Sequence, residues 1–407
     1  MKTSLRLIGL LTVLTLGSGC ASTVSGQAEP GITPVDIAAL KTGAQVVEPT
    51  PFELDFSSHT AQRIRLIEGR QLLNLLVHPI DFMPSLTELD HTRIFADSSE
   101  MSKTGGLPST FNPIVDQNDL VSGVSTVRTN GSARATESMY VGVLHFGTAE
   151  NAKNVSTGMF EVSTRGEPPR QPIEIPGYSQ ANGTIGAASV NAFQAHGPFV
   201  VVTSIQQPQP DRTALPQKIQ MVLDAQIKAL DSYKPVPADD LLDLPLDQDG
   251  IMRRTMGKSP AGDPFGMSFH QEDFGTFQHS GILHYERNTL ETRKAFEAAG
   301  VDLVGRRYST VYRTRDVESA FLLQTALARR GKEDAVLDPP PGIADAQCVR
   351  LSDADPNRGY NGFCVLVHGR YVAVVMAMAT ASRTALQADP VLQERTAAQY
   401  LILEKSE

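Results

Sequence analysis

The sequence predicts an α+β protein made of two similar repeats, each a mainly antiparallel sheet with helices packed on one face. Three observations predict it: an internal duplication, strand runs joined by tight turns, and apolar stripes at helical spacing after each strand pair. The duplication is plainest where His196-Gly-Pro-Phe-Val-Val-Val202 matches His368-Gly-Arg-Tyr-Val-Ala-Val374, an offset of 172 residues. A strand-like run precedes each (Ser189 to Ala195; Asn361 to Val367). A similar polar helix start follows each, Asp211-Arg-Thr-Ala-Leu215 and Ser382-Arg-Thr-Ala-Leu386. The helices are predicted at Leu215–Ser232 and Val391–Glu404, the first with a stripe of Ile219, Val222, Leu223, Ile227 and Leu230.

A second matched pair lies upstream. Tyr140-Val-Gly-Val-Leu-His-Phe146 leads into a helix at Ala149, and Tyr308-Ser-Thr-Val-Tyr312 into one at Val317. The stripe Ala152, Val155, Met159 maps onto Ala320, Leu323, Leu327 at a fixed offset of 168. Each unit therefore runs strand, helix, hairpin, helix. The first unit also begins with a helix over Ile64–Val77, stopped by Pro79. Residues 98–135, rich in Ser, Thr, Gly and Asn, are predicted to be long loops.

Boundaries follow from composition. Residues 1–19 carry a positive start (Lys2, Arg6) and a ten-residue apolar run from Leu7 to Leu16, too short to span a bilayer. The run closes on Gly17-Ser18-Gly19 and Cys20, which resembles the lipobox of bacterial lipoproteins and implies a signal peptide over 1–19 with Cys20 as the lipidated residue, although Gly17 stands where Leu is usual. Residues 20–35 form a small, polar, flexible tether. The first repeat domain is placed at 36–232 and the second at 233–407, divided at the proline-bearing Asp231-Ser-Tyr-Lys-Pro-Val-Pro237.

Three cysteines are present. With Cys20 assigned to the anchor, Cys348 and Cys364 flank a turn-rich segment centred near Pro356. Strands folded back there would place the two opposite each other, as a disulfide outside the cytoplasm requires.

Net charge narrows the partners. The chain carries −9, and removal of Lys2 and Arg6 with the signal lowers it by two, to −11. No nucleic-acid footprint exists in such a chain, and adsorption to anionic lipid is disfavoured, so membrane attachment must be covalent. Trp is absent and aromatics make up only 6%, which argues against sugar-stacking sites.

The lipobox cysteine, Leu40-Lys-Thr-Gly43, Glu68-Gly-Arg70 before His78-Pro79, and Tyr312-Arg-Thr-Arg-Asp316 leading to Ala320 occur together. In this the chain resembles a family of actinobacterial two-repeat lipoproteins described as a domain of unknown function, over nearly all of the mature sequence. The resemblance implies no activity and no catalytic residues. More loosely, the unit is similar to extracellular sensor modules of mycobacterial kinases.

Candidate chemistry is sparse. His270-Gln-Glu-Asp273 with His279 and His284 is the densest polar group, but its spacing fits no helical metal motif and its glycines read as loop, so no metal is assigned. His196 and His368 each precede Gly at a hairpin turn, where backbone preference explains them as well as a paired ligand role does. Arg306, Arg307, Arg313 and Arg315 form a basic cluster suited to an anion, with Arg313 and Arg315 on one strand face. That placement equally describes a solvated edge. There is no Gly-x-Ser-x-Gly elbow, dinucleotide fingerprint or P-loop. Ser309 lies on a strand without a base in view.

The expectation is a non-enzymatic protein with no cofactor, lipid-anchored on the extracytoplasmic face of the cell membrane. It would bind an envelope ligand or protein partner, by default in the cleft between its halves. The ligand-facing candidates are Arg313, Arg315, His196 and His368. The alternatives are a sensor or accessory subunit of an envelope complex, and a metal-dependent cell-wall hydrolase using His270–His284.

Overall fold

The computed structural model describes residues 33–54, 60–103, 105–258, 273–353, 360–378 and 387–407. The signal segment, Cys20, the tether up to Ile32, His270, Pro356 and the helix start at 382–386 lie outside them.

Two seven-stranded antiparallel sheets carry the fold. The first contains β1 (Glu88–Phe95), β2 (Leu120–Thr129), β3 (Ser138–Phe146), β4 (Gln171–Ile175), β5 (Tyr178–Ile185), β6 (Ser189–His196) and β7 (Phe199–Gln206). Its spatial order is β1-β2-β3-β7-β6-β5-β4. The second contains β8 (Gly275–Phe277), β9 (Leu303–Arg306), β10 (Thr310–Arg313), β11 (Ala335–Leu337), β12 (Gln347–Arg350), β13 (Gly362–His368) and β14 (Tyr371–Ala377). Taken from its β8 edge, the second sheet has the order β8-β9-β10-β14-β13-β12-β11, the same topology strand for strand. Among the described residues no strand of one sheet pairs with the other.

The helices repeat as well. In the first half α1 (Thr60–Leu73) precedes the sheet. Short helices α2 (Ser98–Met101) and α3 (Asn112–Asp116) join β1 to β2, α4 (Ala149–Arg165) crosses from β3 to β4, and α5 (Ala214–Asp231) follows β7. In the second half α6 (His279–Ile282) and α7 (Thr289–Ala299) join β8 to β9, α8 (Val317–Leu327) crosses, and α9 (Pro390–Glu404) closes the chain. The crossover helices start alike: Thr148 accepts from Asn151 N and Asp316 from Ser319 N, each satisfying a free amide of the first turn. Both predicted stripes face inward, with Ala152, Val155, Met159, Ala320 and Leu323 at 0% exposure and Leu327 packed against the cluster that holds Ala320 and Leu323.

The helices flank both faces of each sheet, not one face as the sequence suggested. On β3, Met139, Val141 and Val143 join the core under α1 and α5, whereas Tyr140, Leu144 and Phe146 join the core under α2–α4. The signal was in the runs Tyr140–Phe146 and Phe199–Val202, which are apolar without alternation, as two-sided burial requires.

Residues 98–135 are not simply loops. They contain β2, an internal strand whose Ser122, Ser125 and Thr126 are buried. Its small polar composition serves close packing: Gly69 of α1 lies so near that a Cβ there would meet Ile94 Cγ2 at 2.4 Å and Ser122 Oγ at 2.6 Å. The first helix ends at Leu73, before Pro79, because Asn74 turns towards the second half. There its Oδ1 accepts from Gln278 N at 3.0 Å and its carbonyl from Ser280 Oγ at 2.8 Å.

The halves share a core but do not meet through equivalent surfaces. One apolar cluster takes in the α1/α5 face of the first sheet and the α7/α8 face of the second. The α2–α4 face of the first half forms its own core. The α9 face of the second is closed by Ile251, Met252 and Met256 and by the N-terminal arm, whose Val35, Leu40, Val47 and Phe52 pack against it. Thr33 pins that arm through two bonds to the Asp345 carboxylate, at 2.9 and 2.7 Å. Residues 33–54, which precede the first half in sequence, thus lie along the second.

Candidate functional site

The seam between the halves is built by the segment after α1. His78 stacks on His284 with ring centroids 3.9 Å apart, and His284 Nε2 lies 3.0 Å from the Leu76 carbonyl. Burial holds both rings towards the neutral form. It lowers the pKa of His284 to about 3 and that of His78 well below the usual value, the latter further depressed by His284 and Arg293. Arg128 of β2, fully buried, donates to the Thr87 carbonyl at 3.1 Å and across the seam to the Glu286 carbonyl at 3.0 Å. Arg293 of α7 clasps Asp81 with two bonds, at 2.7 and 3.2 Å. Gln226 of α5 holds the same segment from behind, accepting from Val77 N and donating to the Leu75 carbonyl.

A second buried group anchors the linker. Tyr233 donates to Glu68 Oε2 at 2.7 Å, while Glu68 Oε1 lies 3.1 Å from His145 Nδ1. Burial first and the Glu68 charge second raise the Tyr233 pKa. These three side chains tie α1, β3 and the start of the linker together in the interior.

On one side the seam opens into a cleft of about 600 Å³, within the roughly 300–1,000 Å³ of small-molecule sites. The first half contributes the stripe Arg63, Leu66, Arg70 of α1, whose spacing puts the three on one helix face, together with Phe95, Ala96 and Asp97. The second half contributes Lys258, Phe274, Arg307 and Tyr308, and the N-terminal arm adds Phe52, Glu53 and Leu54. Arg70 is only 6% exposed and lies across Gly275, where any Cβ would come within 2.4 Å of its Cδ. Arg307 donates to Thr50 Oγ1 at 3.1 Å and sits over the Phe52 ring, and burial lowers its pKa. Of the acids, Asp97 caps α2, accepting from Glu100 N and Ser99 Oγ, and Glu100 pairs with Lys103.

The residues singled out from sequence are placed elsewhere. Arg313 is neutralised within the second half: it forks onto Asp302 at 2.8 and 2.9 Å and reaches Asp249 at 2.9 Å, pairings that raise its pKa. Arg315 lies beyond the end of β10, bonded to the Ala298 carbonyl. His196 bonds Asp231 Oδ1 at 2.7 Å and His368 bonds Glu407 Oε1 at 2.9 Å, so each ties a hairpin turn to the end of its own half's last helix. In both turns the left-handed residue is the following glycine, Gly197 and Gly369 with φ of 53°. None of these four lines the cleft.

Cys348 and Cys364, directly opposed on β12 and β13, form the expected disulfide. Within the histidine-rich segment, Asp273 accepts from Tyr285, His279 is exposed at the start of α6, and His284 is in the seam. Among the described residues no group of His, Cys, Asp or Glu comes together as a metal site needs. Ser309 is buried, donating to Gln399 Oε1 and accepting from Met256 N.

Of the basic cluster only Arg307 reaches the cleft. Arg63, Arg70 and Lys258 were missed. The available signal was the stripe Arg63, Leu66, Arg70, a helical face with cations where an amphipathic helix would be apolar.

Models of the N-terminal and C-terminal parts of a domain of unknown function, DUF7373, match residues 56–246 and 251–406. No curated protein matches the chain. Among solved structures, the extracellular domain of PknH from Mycobacterium tuberculosis is similar over 40% of this chain and 97% of that one, at 10% identity and a TM-score of 0.30. A likeness that distant carries no argument here.

Proposed function

Since the chain belongs to the DUF7373 family, whose two parts together span residues 56–406 with a short gap, we propose a role for it as an exported, non-catalytic binding protein that holds a ligand where its halves meet. One observation carries the reading: the cleft draws its walls from both halves and from the N-terminal arm. A ligand there touches three parts of the chain that sequence places far apart. Pockets at such junctions are the usual place for small-molecule recognition.

The non-catalytic reading is supported by where the described histidines and the buried Glu68 sit. No histidine of the described residues lines the cleft, and Glu68, His145 and Tyr233 are committed to one another in the interior. Export is supported by the Cys348–Cys364 disulfide, a bond that persists in oxidising compartments. The N-terminal pattern ending in Cys20 supports lipid attachment to an actinobacterial membrane, with the folded body on the extracytoplasmic side.

Native mass spectrometry of the intact chain, purified from its own envelope, tests the binding role. A retained mass beyond polypeptide and anchor is expected. A chain that arrives bare and takes up nothing from an envelope extract would overturn it.

A further inference from the structure

Resting on the reading of the cleft as a binding site, we infer that the N-terminal arm, residues 33–54, is a detachable wall of it. The arm lifts from the second half as one piece while both sheets stay folded, so its tether end governs whether the cleft is open or closed. The arm is thinly embedded. No residue of 33–54 is buried, and its share of the core is the half-buried side chains Val35, Leu40, Val47 and Phe52. It joins neither sheet, and its one helical turn, Ile37–Ala39, has no buried side chain. The strands β3 and β13, by contrast, hold Val141, Leu144, Val365 and Leu366 at 0% exposure. Segments with few buried apolar contacts open before the rest of a fold does.

Its ties lie near the surface. Thr33 holds the Asp345 carboxylate at one end, Glu48 pairs with Lys405 in the middle, and Arg307 donates to Thr50 Oγ1 beside the cleft. Asp36 N adds a backbone bond to the Gly342 carbonyl at 3.0 Å. The Asp345 and Lys405 ties are exposed to solvent, and exposed ties of this kind hold weakly. The seat beneath is shaped by glycine. A Cβ at Gly342 would meet the Asp36 carbonyl oxygen at 2.5 Å, and one at Gly257 would meet Thr50 Oγ1 at 2.9 Å. The arm therefore lies close on the second half without fully burying any side chain there.

The two ends of the arm give this a consequence. Thr33 lies on the side of the tether, whereas Phe52, Glu53 and Leu54 line the cleft, with the Arg307 guanidinium over the Phe52 ring. A ligand touching Phe52–Leu54 secures the arm. By the reciprocity of linked equilibria, an arm drawn away at its tether end loosens that ligand. The membrane side of the chain and the cleft are thereby coupled.

The sequence holds no Trp, so Phe52→Trp places a single fluorescent reporter on the cleft wall. The test is acrylamide quenching of that reporter in the intact chain, beside hydrogen exchange of the Leu40 and Gln45 amides in a chain that keeps Phe52. Asp345→Ala, which removes both Thr33 bonds at the opposite end of the arm, is expected to raise quenching of the reporter. It should also speed exchange of the arm about tenfold, the worth of one charge-assisted bond. Exchange of β3 and β13 and the unfolding midpoint are expected to stay unchanged. Glu48→Gln should act in the same direction. A staple is also available, because a Cβ at Gly257 would stand 3.9 Å from Thr50 Cβ, inside the roughly 3.5–4.5 Å span of disulfides. Thr50→Cys with Gly257→Cys, once oxidised, is expected to keep the reporter protected even beside Asp345→Ala.

Faster exchange near Thr33 with the reporter as protected as before would mean that the arm only frays at its end, and would overturn the proposal. An unfolding midpoint that falls in step with the rise in quenching would overturn it as well, since the arm would then belong to the cooperative core. An arm that releases as expected, on a chain that arrives bare in native mass spectrometry, would sink the binding role and leave the arm's movement standing.

Discussion

The two halves have one topology and opposite uses for it. The first turns its α1/α5 face into the shared core and closes its α2–α4 face with its own helices. The second turns the equivalent of that closed face, α7 and α8, into the shared core, and closes its α9 face with residues 251–256 and the N-terminal arm. The association is thus head-to-tail rather than twofold. A twofold would give symmetric pairs of contacts across the seam. Instead the seam has one-sided ones: Arg128 reaches Glu286, and Arg293 reaches Asp81, with no mirrored partner for either among the described residues. The cleft inherits this asymmetry, with cations on a helix of one half and on loops of the other.

The comparison breaks if the halves are only tethered, so the largest expected effect is at the seam. Arg128→Ala removes two bonds from a charged donor and leaves a cavity between α1's sheet and the second half, a loss of about 3–5 kcal/mol. Because the core is continuous, denaturant unfolding of wild type and variant should stay a single transition, read by circular dichroism and by hydrogen exchange of both sheets. Two separate transitions in the wild type would mean that the halves fold independently.

Acid is the milder probe of the same seam. His78 and His284 have lowered pKa values in the folded protein, while in the unfolded chain a histidine titrates near 6.5. Below that pH the unfolded state binds more protons than the folded one, so stability is full above about pH 6.5 and falls as pH drops towards the folded values. Arg128 and Arg293 oppose protonation further. At pH 5 the loss from His284 alone is about 2 kcal/mol, and His78 adds to it in the same direction. Denaturation midpoints between pH 7.5 and 5 should show it, and a double replacement, His78→Gln with His284→Phe, should flatten the slope. A slope unchanged by the double variant would remove these rings as its source.

What was legible in sequence was whatever depends on neighbours close along the chain. The duplication, the hairpin turns at Gly197 and Gly369, both crossover helices and the Cys348–Cys364 bridge all follow from local pattern. The seam does not, because His78 and His284 are joined across 206 residues and nothing local says which face of a two-sided sheet meets which. The Ser- and Thr-rich β2 looked like loop for the same reason: its composition answers to α1 pressing on it, not to its own strand propensity. The cleft was half legible. Arg307 stood out within a basic run, whereas Arg63 and Arg70 were concealed in a helix whose apolar residues drew the eye.

The smallest effect compares the halves directly at a pair they share. His196 and His368 perform the same tie, turn to helix end, yet their surroundings differ. The His196 side chain is 33% exposed and that of His368 14%, and His368 also meets Tyr400 edge-on at 5.2 Å. Both partner acids, Asp231 and Glu407, are well exposed, so each ion pair is worth at most about 1 kcal/mol. His196→Ala should therefore move stability by a few tenths of a kcal/mol. His368→Ala should cost more, by the ring contact with Tyr400, worth about 0.5–1.5 kcal/mol. If the paired histidines acted as a binding feature instead, each replacement would weaken ligand capture while stability stayed level. Thermal melts run beside native mass spectrometry of ligand capture distinguish the two: a melt difference ranked His368 over His196 with unchanged capture marks them as ties of the fold.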